Sequence, residues 1–338
     1  MIFLSPFVIG KGDSAKLKVR QGTMPSSAVG TFTDPDDYAA AIRGRDAEVI
    51  LVGRGQFKAK LTKVELHRLW MQRLFDNLPR IARSANLAGR MIVSFRIQPG
   101  PSLLAGGLEI PPCGLVRHSD PDDYHQTSSG CASFGAMSLP VGDMVSVGAA
   151  LAGLDLTPPK DLLMVPSPAT EMARLRRLYV AATDLAEKAP EVIANPDTAR
   201  GLEQTLIEAV VACLSRHEDR RNSAAQGRHA IIMRRFRRVV EENPEEPLYI
   251  PVVCKAIGVP SRTLRMVCQE HLGMGPKRYL VLRRLHLARQ ALRETAPGTT
   301  TVTDIATRFG FWQFGRFSVE YQALFGEPPS ATLRQQLH

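Results

Sequence analysis

The chain has 338 residues, 44% of them hydrophobic and 22% charged, a globular composition that excludes a disordered tail and suits two compact domains. Its net charge is +10, and the excess is concentrated. Residues 1–217 carry +2 and residues 218–338 carry +8, and 17 of the 19 basic residues in that last third are arginine. A basic C-terminal module points to a polyanionic partner, nucleic acid above all. No uncharged apolar run approaches about 18 residues, so no membrane-spanning helix is expected. The opening MIFLSPFVIGKGDSAKLKVR lacks both a basic segment before its apolar run and a clear cleavage site, which argues against a signal peptide. Five cysteines (Cys113, Cys131, Cys213, Cys254 and Cys268) with no CxxC argue against a disulfide framework or a zinc ribbon. They point to a reducing, cytoplasmic compartment.

Residues 1–165 are rich in turn residues and short apolar segments. Glu48–Val52, Phe57–Leu66, Arg90–Ile97 and Cys131–Leu139 read as strands. The run Leu66–Leu74 fits a helical face through Leu66, Leu69, Trp70 and Leu74, and equally two strands and a turn. Gln98–Gly107 and His118–Gly130 are turn-rich. The region is expected to be mostly β with some helix.

The pattern changes at Pro168. Leu175, Leu178, Tyr179, Ala182 and Leu185 fall at helical spacing. After Asn195-Pro196, Leu202, Leu206, Ala209, Val210 and Cys213 repeat the pattern. Two such amphipathic helices either pair subunits or cover the core of their own domain. The polar stretch 216–228 reads as a linker, which places a first domain at 1–217 and a second at 229–338, with 218–228 between them.

The second domain contains an internal repeat. Leu264, Cys268, Leu272, Gly273 and Pro276 recur 53 residues later as Phe317, Tyr321, Phe325, Gly326 and Pro329, and Cys254 and Gly258 recur 52 residues later as Ala306 and Gly310. Each copy is a short helix, a glycine turn and a second helix, so the domain holds two helix-turn-helix units, at about 250–273 and 303–326. In the first, Ile250, Val253, Cys254 and Ile257 form one apolar face and Leu264, Val267, Cys268 and Leu272 the other, with Ser261 suited to cap the second helix. In the second, Phe314 or Gly315 opens the second helix. Residues 276–294 between the units have Tyr279, Leu280, Leu287 and Leu292 at helical spacing and would form a helix roughly 28 Å long. Neighbouring major-groove faces of B-DNA lie about 34 Å apart, so one polypeptide can place two reading helices in successive grooves.

Residues 228–336 resemble the DNA-binding domain of the AraC/XylS family of bacterial transcription regulators. The resemblance rests on Thr303-Asp304-Ile305-Ala306-Thr307-Arg308-Phe309-Gly310-Phe311, then Phe317, Tyr321, Phe325-Gly326-Glu327-Pro328-Pro329-Ser330 and Arg334. It implies an upstream sensor and oligomerisation domain, a cupin-like β-barrel followed by helices in the best-known members. It also implies a small-molecule effector, a homodimer, promoter DNA and RNA polymerase as partners, and activation as the commoner outcome. Pro260, Cys268, Gln313 and Gly315 depart from the family pattern, so base preferences cannot be transferred from a relative. The expected class is therefore α+β, a β sensor domain followed by an all-α DNA-binding domain.

Residues at the start of each reading helix and off its apolar face are the candidate base contacts: Ser261, Arg262, Arg265 and Met266 in the first, Gln313, Phe314, Arg316 and Ser318 in the second. Arginine offers a bidentate fork to guanine O6 and N7. Phe314 meets a thymine methyl or packs beside Trp312. Phosphate contacts need charge more than shape; Lys277 and Arg278 are candidates, with Arg234, Arg235, Arg237, Arg238, Arg283 and Arg284 behind them. Thr303 reads as a helix cap whose neighbouring amides suit a phosphate.

The first two thirds carry no catalytic constellation. His118 and His125 beside Asp120, Asp122 and Asp123 have neither HxH nor HExxH spacing, and no metal or cofactor is expected. Ser128-Ser129-Gly130 lacks the nucleophile-elbow pattern. The competing reading is an enzyme or repair protein that uses the basic module for targeting. It would need reactive cysteines upstream, where only Cys113, Cys131 and Cys213 occur.

Overall fold

The computed structural model describes residues 24–85, 87–119, 123–215, 224–296 and 298–334. The opening segment considered as a leader, Asp120 and Asp122, and residues 216–223 of the expected linker lie outside them. The N-terminal part runs β1 (Ser26–Phe32), α1 (Pro35–Ala41), β2 (Arg45–Leu51), β3 (Ala59–Glu65), β4 (Trp70–Asp76), β5 (Arg80–Ala85) and β6 (Arg90–Arg96). It continues with β7 (Leu103–Ala105), β8 (Leu108–Glu109), β9 (Gly114–Arg117), β10 (Asp123–Ser128), β11 (Ala132–Pro140), α2 (Val141–Ala152) and β12 (Leu163–Pro166). Then come α3 (Ala169–Lys188), α4 (Pro190–Ala194) and α5 (Pro196–Leu214).

The strands form two antiparallel sheets. One has the order β1-β3-β4-β11-β6-β9-β12 and the other β2-β5-β10-β7-β8. Alternation along the larger sheet separates two cores. Leu61, Leu74 and Phe134 face the smaller sheet, with Ile50, Leu51 and Ile81. Val64, Met71, Val93, Phe95 and Met137 point the other way, against α3 and α5. A sheet buried on both faces reads as a near-continuous apolar run, which is why Arg90–Ile97 was legible as a strand. The ambiguous run Leu66–Leu74 resolves as a turn, closed by the Leu66 amide on the Leu69 carbonyl, leading into β4. The turn-rich segment His118–Gly130 contains β10, whose polar residues hid it.

The apolar stripes of α3 and α5 are spent within their own domain. Leu175, Tyr179, Ala182, Leu206, Ala209, Val210 and Cys213 are all buried in the core under the larger sheet, and Leu178, Leu185 and Leu202 pack against it. Tyr179 donates its hydroxyl to the Gln72 carbonyl in β4, and Glu187 accepts from Lys60 and Thr62 of β3. Of the two roles open to these helices, the residues named serve the covering one.

The C-terminal part is α6 (Ala224–Glu242), α7 (Ile250–Ile257), α8 (Ser261–Leu272), α9 (Pro276–Glu294), α10 (Val302–Arg308), α11 (Phe314–Phe325) and α12 (Pro329–Arg334). α7 with α8 and α10 with α11 form two helix-turn-helix units, joined by the 19-residue α9. Ala224–Arg228, read as linker, is instead the first part of α6.

The two parts share a core and a polar seam. Apolar residues from the smaller sheet and from α6 to α11 belong to one buried cluster. Around it, His286 Nε2 accepts the Leu51 amide at 2.8 Å, and Thr127 donates to the His271 carbonyl at 3.1 Å. Arg83 pairs with Glu241 at 3.0 Å. At the start of α1, Asp34 caps the helix by accepting the amides of Asp36 and Asp37, and the same carboxylate pairs with Arg289 and Arg293 of α9. Asp36 also faces both arginines, at 3.0 and 3.5 Å, and Asp37 faces Arg293 at 3.0 Å.

This clamp sets a pH dependence. Burial, aided by the charge on Asp34, outweighs the two arginines and pushes the Asp36 carboxyl from its ordinary 3.8 up to about 6. A folded value above the unfolded one means that the folded state binds the extra proton, so this group lowers stability as pH rises from about 4 through 6. Burial of His118, His125, His271 and His286 lowers their values and acts in the opposite direction. The comparison of Asp36→Asn with wild type isolates the carboxyl. Relative to wild type, the variant should melt higher at pH 7.5 than it does at pH 4.5, by thermal unfolding at the two pH values. Parallel profiles for the two proteins would refute the assignment.

Candidate nucleic-acid interface

The two units are built alike. Gly258 and Gly310 make the turns at φ 75° and 72°, a left-handed conformation that side chains with a Cβ resist. α8 and α11 have 12 residues each and end on Gly273 and Gly326. On their inner sides, Leu264, Val267, Cys268 and Leu272 match Phe317, Tyr321 and Leu324, all buried. Phe311, Phe317, Tyr321 and Phe325 stack successively at centroid distances of 4.9, 5.6 and 4.6 Å.

The opposite faces are open. Ser261, Arg262, Arg265 and Met266 are exposed on α8; Gln313, Phe314 and Arg316 are exposed at the start of α11, with Ser318 half-buried. No ion pair involves Arg262 or Arg265 among the described residues. Arg316 is tied to Glu320 one turn on, at 2.9 Å. Ser261 does not cap α8: the N-cap is Pro260, with no side-chain bond, and Ser261 is the first helical residue. α11 likewise starts at Gln313 without a side-chain cap. Both reading helices thus present first-turn amides that no side chain at the N-cap satisfies.

α10 contrasts with them. Its N-cap is Thr301, which accepts the Asp304 amide at 3.1 Å while Asp304 accepts the Thr301 amide at 3.0 Å, a complete capping box. Those bonds hold the Asp304 carboxyl below its ordinary range. Thr303, expected as the cap, is the second helical residue and exposed; the motif contains two threonines at cap spacing, and the reciprocal bond to Asp304 selects the earlier one.

The basic candidates divide. Lys277 and Arg278 are exposed on the first turn of α9, and Arg234, Arg235 and Arg238 on α6. Arg283 is buried, donating to the Val240 carbonyl at 3.2 Å and lying 3.9 Å from Glu48. Arg237 is buried beside His125 and His271 in the cleft between the two parts. Neither is placed to reach a phosphate, and both are corrections to the reading from charge alone. Arg284 lies between these groups: it donates to the carbonyls of Phe309 and Gly310, 3.3 Å each, and sits 5.0 Å above the Phe311 ring. It fixes the turn of the second unit.

Between α9 and α11 lies a trough of about 670 Å³ lined by Lys277, Arg278, Arg284, Trp312, Gln313 and Arg316, among others. Trp312 is 68% exposed and was not among the residues selected from sequence, although an indole next to a glycine turn was a signal. In the N-terminal domain a smaller cavity, about 40 Å³, lies between the sheets and is lined by Arg43, Trp70, Gln72, Gln126, Phe134 and Ala136. The Trp70 indole N–H is buried there with no hydrogen-bond partner among the described residues. His118 is held by Ser94 at 2.8 Å, and His125 lies against His271 with ring centroids 5.2 Å apart.

The capping geometry is directly testable. Thr301→Ala should destabilise the protein by about 1 kcal/mol, and Thr303→Ala should stay within about 0.5 kcal/mol of wild type, both by denaturant unfolding. The reverse order would show that the cap lies at Thr303.

Comparison with known proteins agrees with this geometry. Residues 253–335 match a family model described as a helix-turn-helix domain. The chain is 39% identical over 95 residues to a probable thc operon regulatory protein of Rhodococcus erythropolis, covering 28% of this chain and 29% of that one. It is 35% identical over 103 residues to the XylDLEGF operon transcriptional activator of Pseudomonas putida, covering 30% and 32%. The chain thus spans about a third of the length of the curated relatives it matches. Among solved structures, the AraC-like transcriptional activator CuxR aligns over 83% of this chain and 99% of that one, at 16% identity and a TM-score of 0.42. By its two units, their shared glycine turns and these matches, residues 253–335 form a helix-turn-helix domain similar to those of bacterial operon regulators.

Proposed function

We propose that the protein is a sequence-specific, effector-responsive transcription regulator that reads two adjacent major grooves of promoter DNA with α8 and α11 of one polypeptide. The observation that carries this reading is the pair of equivalent 12-residue helices, each open on one face and uncapped at its start, joined by a 19-residue strut. At 1.5 Å per residue the strut is about 28 Å long, and helix widths make up the remainder of the roughly 34 Å groove repeat. Arg262 and Arg265 offer forks to guanine, and Gln313 can bond an adenine edge. Lys277 and Arg278 hold phosphates, and the first-turn amides of α8 and α11 add neutral donors to the same strands.

The relatives, a probable operon regulatory protein and a transcriptional activator, support regulation of transcription and favour activation through RNA polymerase. The N-terminal domain takes the signal in the cavity between its sheets, where the unpartnered Trp70 indole awaits an acceptor. Two subunits pair through a surface other than the buried stripes of α3 and α5. The enzymatic alternative needs reactive upstream cysteines, and of the three, Cys213 is buried, which pushes its thiol up to about 12, the opposite of an activated thiolate.

Selection of bound sequences from a random duplex pool, followed by titration across salt, tests the reading. Two boxes about 10 base pairs apart with a steep salt slope are expected. Arg262→Ala should lose about 1–3 kcal/mol and relax one base position, whereas Lys277→Ala should weaken all sequences alike and reduce the salt slope by about 1. Binding without any preferred sequence would sink the proposal, and an unchanged site for Arg262→Ala would show that α8 is misplaced.

A further inference from the structure

The chain's two tryptophans sit in opposite environments: Trp70 is 4% exposed and Trp312 is 68% exposed. An indole left in water forgoes one of the largest gains that burial offers a side chain. The backbone that presents Trp312 is nevertheless firmly held. Gly310 takes φ 72°, and a Cβ there would fall 2.9 Å from both Pro247 and Arg284. Arg284 binds the Phe309 and Gly310 carbonyls and covers Phe311. The Phe311 amide bonds the Ala306 carbonyl at 2.8 Å. A partner that meets this indole therefore has little backbone entropy to remove.

The trough onto which Trp312 opens has a definite chemistry. Val281, Phe311 and Phe317 supply apolar floor, and Lys277, Arg278, Arg284 and Arg316 supply cations. The single acid on its lining, Glu320, is paired with Arg316. A nucleic-acid strand presents the complement, apolar deoxyribose edges alternating with anionic phosphates. An acidic protein segment would match the cations but not the apolar floor in the same alternation.

We propose that Trp312 is a DNA-backbone contact. Its indole lies against the sugar-phosphate strand that runs between the two grooves, and its Nε1–H donates to a phosphate. The inference rests on the proposed reading that α8 and α11 enter neighbouring grooves. Trp312 precedes the N-cap of α11 and shares its trough with Lys277 and Arg278 on the first turn of α9, so it meets the strand rather than the base edges. The contact supplies affinity without sequence preference.

The test uses the full chain and two labelled duplexes of equal length, one carrying the selected site and one with that site scrambled. Trp312→Ala should weaken binding to both duplexes by about tenfold with their affinity ratio unchanged, and should melt with wild type because the side chain is exposed. Trp312→Phe, which keeps a ring against the strand but has no N–H to donate, should recover only part of that loss. Either duplex should quench the indole emission of the wild-type chain, and that quenched component should be absent from Trp312→Phe. Unchanged affinity for both duplexes, or no quenching, overturns the proposal. A loss confined to the selected duplex also overturns it, by making Trp312 a base reader. Failure of the wild-type chain to bind either duplex overturns the underlying DNA reading and this contact with it.

Discussion

The connecting helix α9 has to satisfy two neighbours at once, and the arrangement of the C-terminal half follows from that constraint. Leu282, Leu285, Ala288 and Leu292 along its length are buried in the core shared by both helix-turn-helix units and the smaller sheet. A helix enclosed to that extent can carry charge only where a partner waits. Arg283 meets Glu48, and Arg289 and Arg293 meet the carboxylates of α1. Pairs of this kind gain little net stability over an apolar contact, because both charges leave water. What they impose is register: Arg289 cannot slide along the β domain without leaving a charge buried and unpaired.

This seam changes the meaning of the basic C-terminal third. Its arginines form two populations. One is buried and internal, comprising Arg237, Arg283 and Arg289. The other is exposed around the reading helices, including Arg262, Arg265, Arg278 and Arg316. Net charge counts them alike, although the field that a polyanion meets comes mainly from the second. On the proposed reading, long-range attraction to DNA is therefore weaker than a total of +8 suggests, and the specific contacts carry a larger share.

The repeat was legible because its constraints are local. Gly258 and Gly310 are required by turn geometry, and Leu264 and Phe317 by a 3.6-residue period, so both could be placed from residue type and spacing alone. Thr301 was missed because Thr303 sits in the more conspicuous part of the motif, and only the bond back from Asp304 distinguishes them. The roles of Arg237 and Arg283 depend on Glu48, His125 and Val240, partners distant in sequence that no spacing rule brings together. The β domain was read in part for the same reason. Strands of the doubly buried sheet, such as Arg90–Arg96, announce themselves by apolar runs. β10 is polar at Gln126 and Thr127 because those side chains bond to Arg80 of β5 and to the His271 carbonyl of α8, and polarity of that kind looks like a loop. Of the two turn-rich segments, His118–Gly130 supplies Gln126 to the inter-sheet cavity, whereas Gln98–Pro101 line a separate hollow with Cys131.

The seam touches both reading helices at the same end. His271, next to last in α8, receives Thr127 and lies so near Gly107 that a Cβ there would be 3.0 Å from its ring. Phe325, last in α11, stacks edge-on against His286 at 4.9 Å, and His286 binds the Leu51 amide of β2. At its C-terminal end α8 is thus held by the β domain directly and α11 through His286 of α9, while both are exposed at their N-terminal ends, about 18 Å away for 12 residues. A helix of that length is stiff. A shift of β2 or β10 against α9 would therefore be delivered to both N-terminal ends together, as a change in their mutual orientation. On the proposed reading, two helices that enter successive grooves tolerate little such change, so the spacing of the DNA would set how far the β domain can move before the second helix loses its groove.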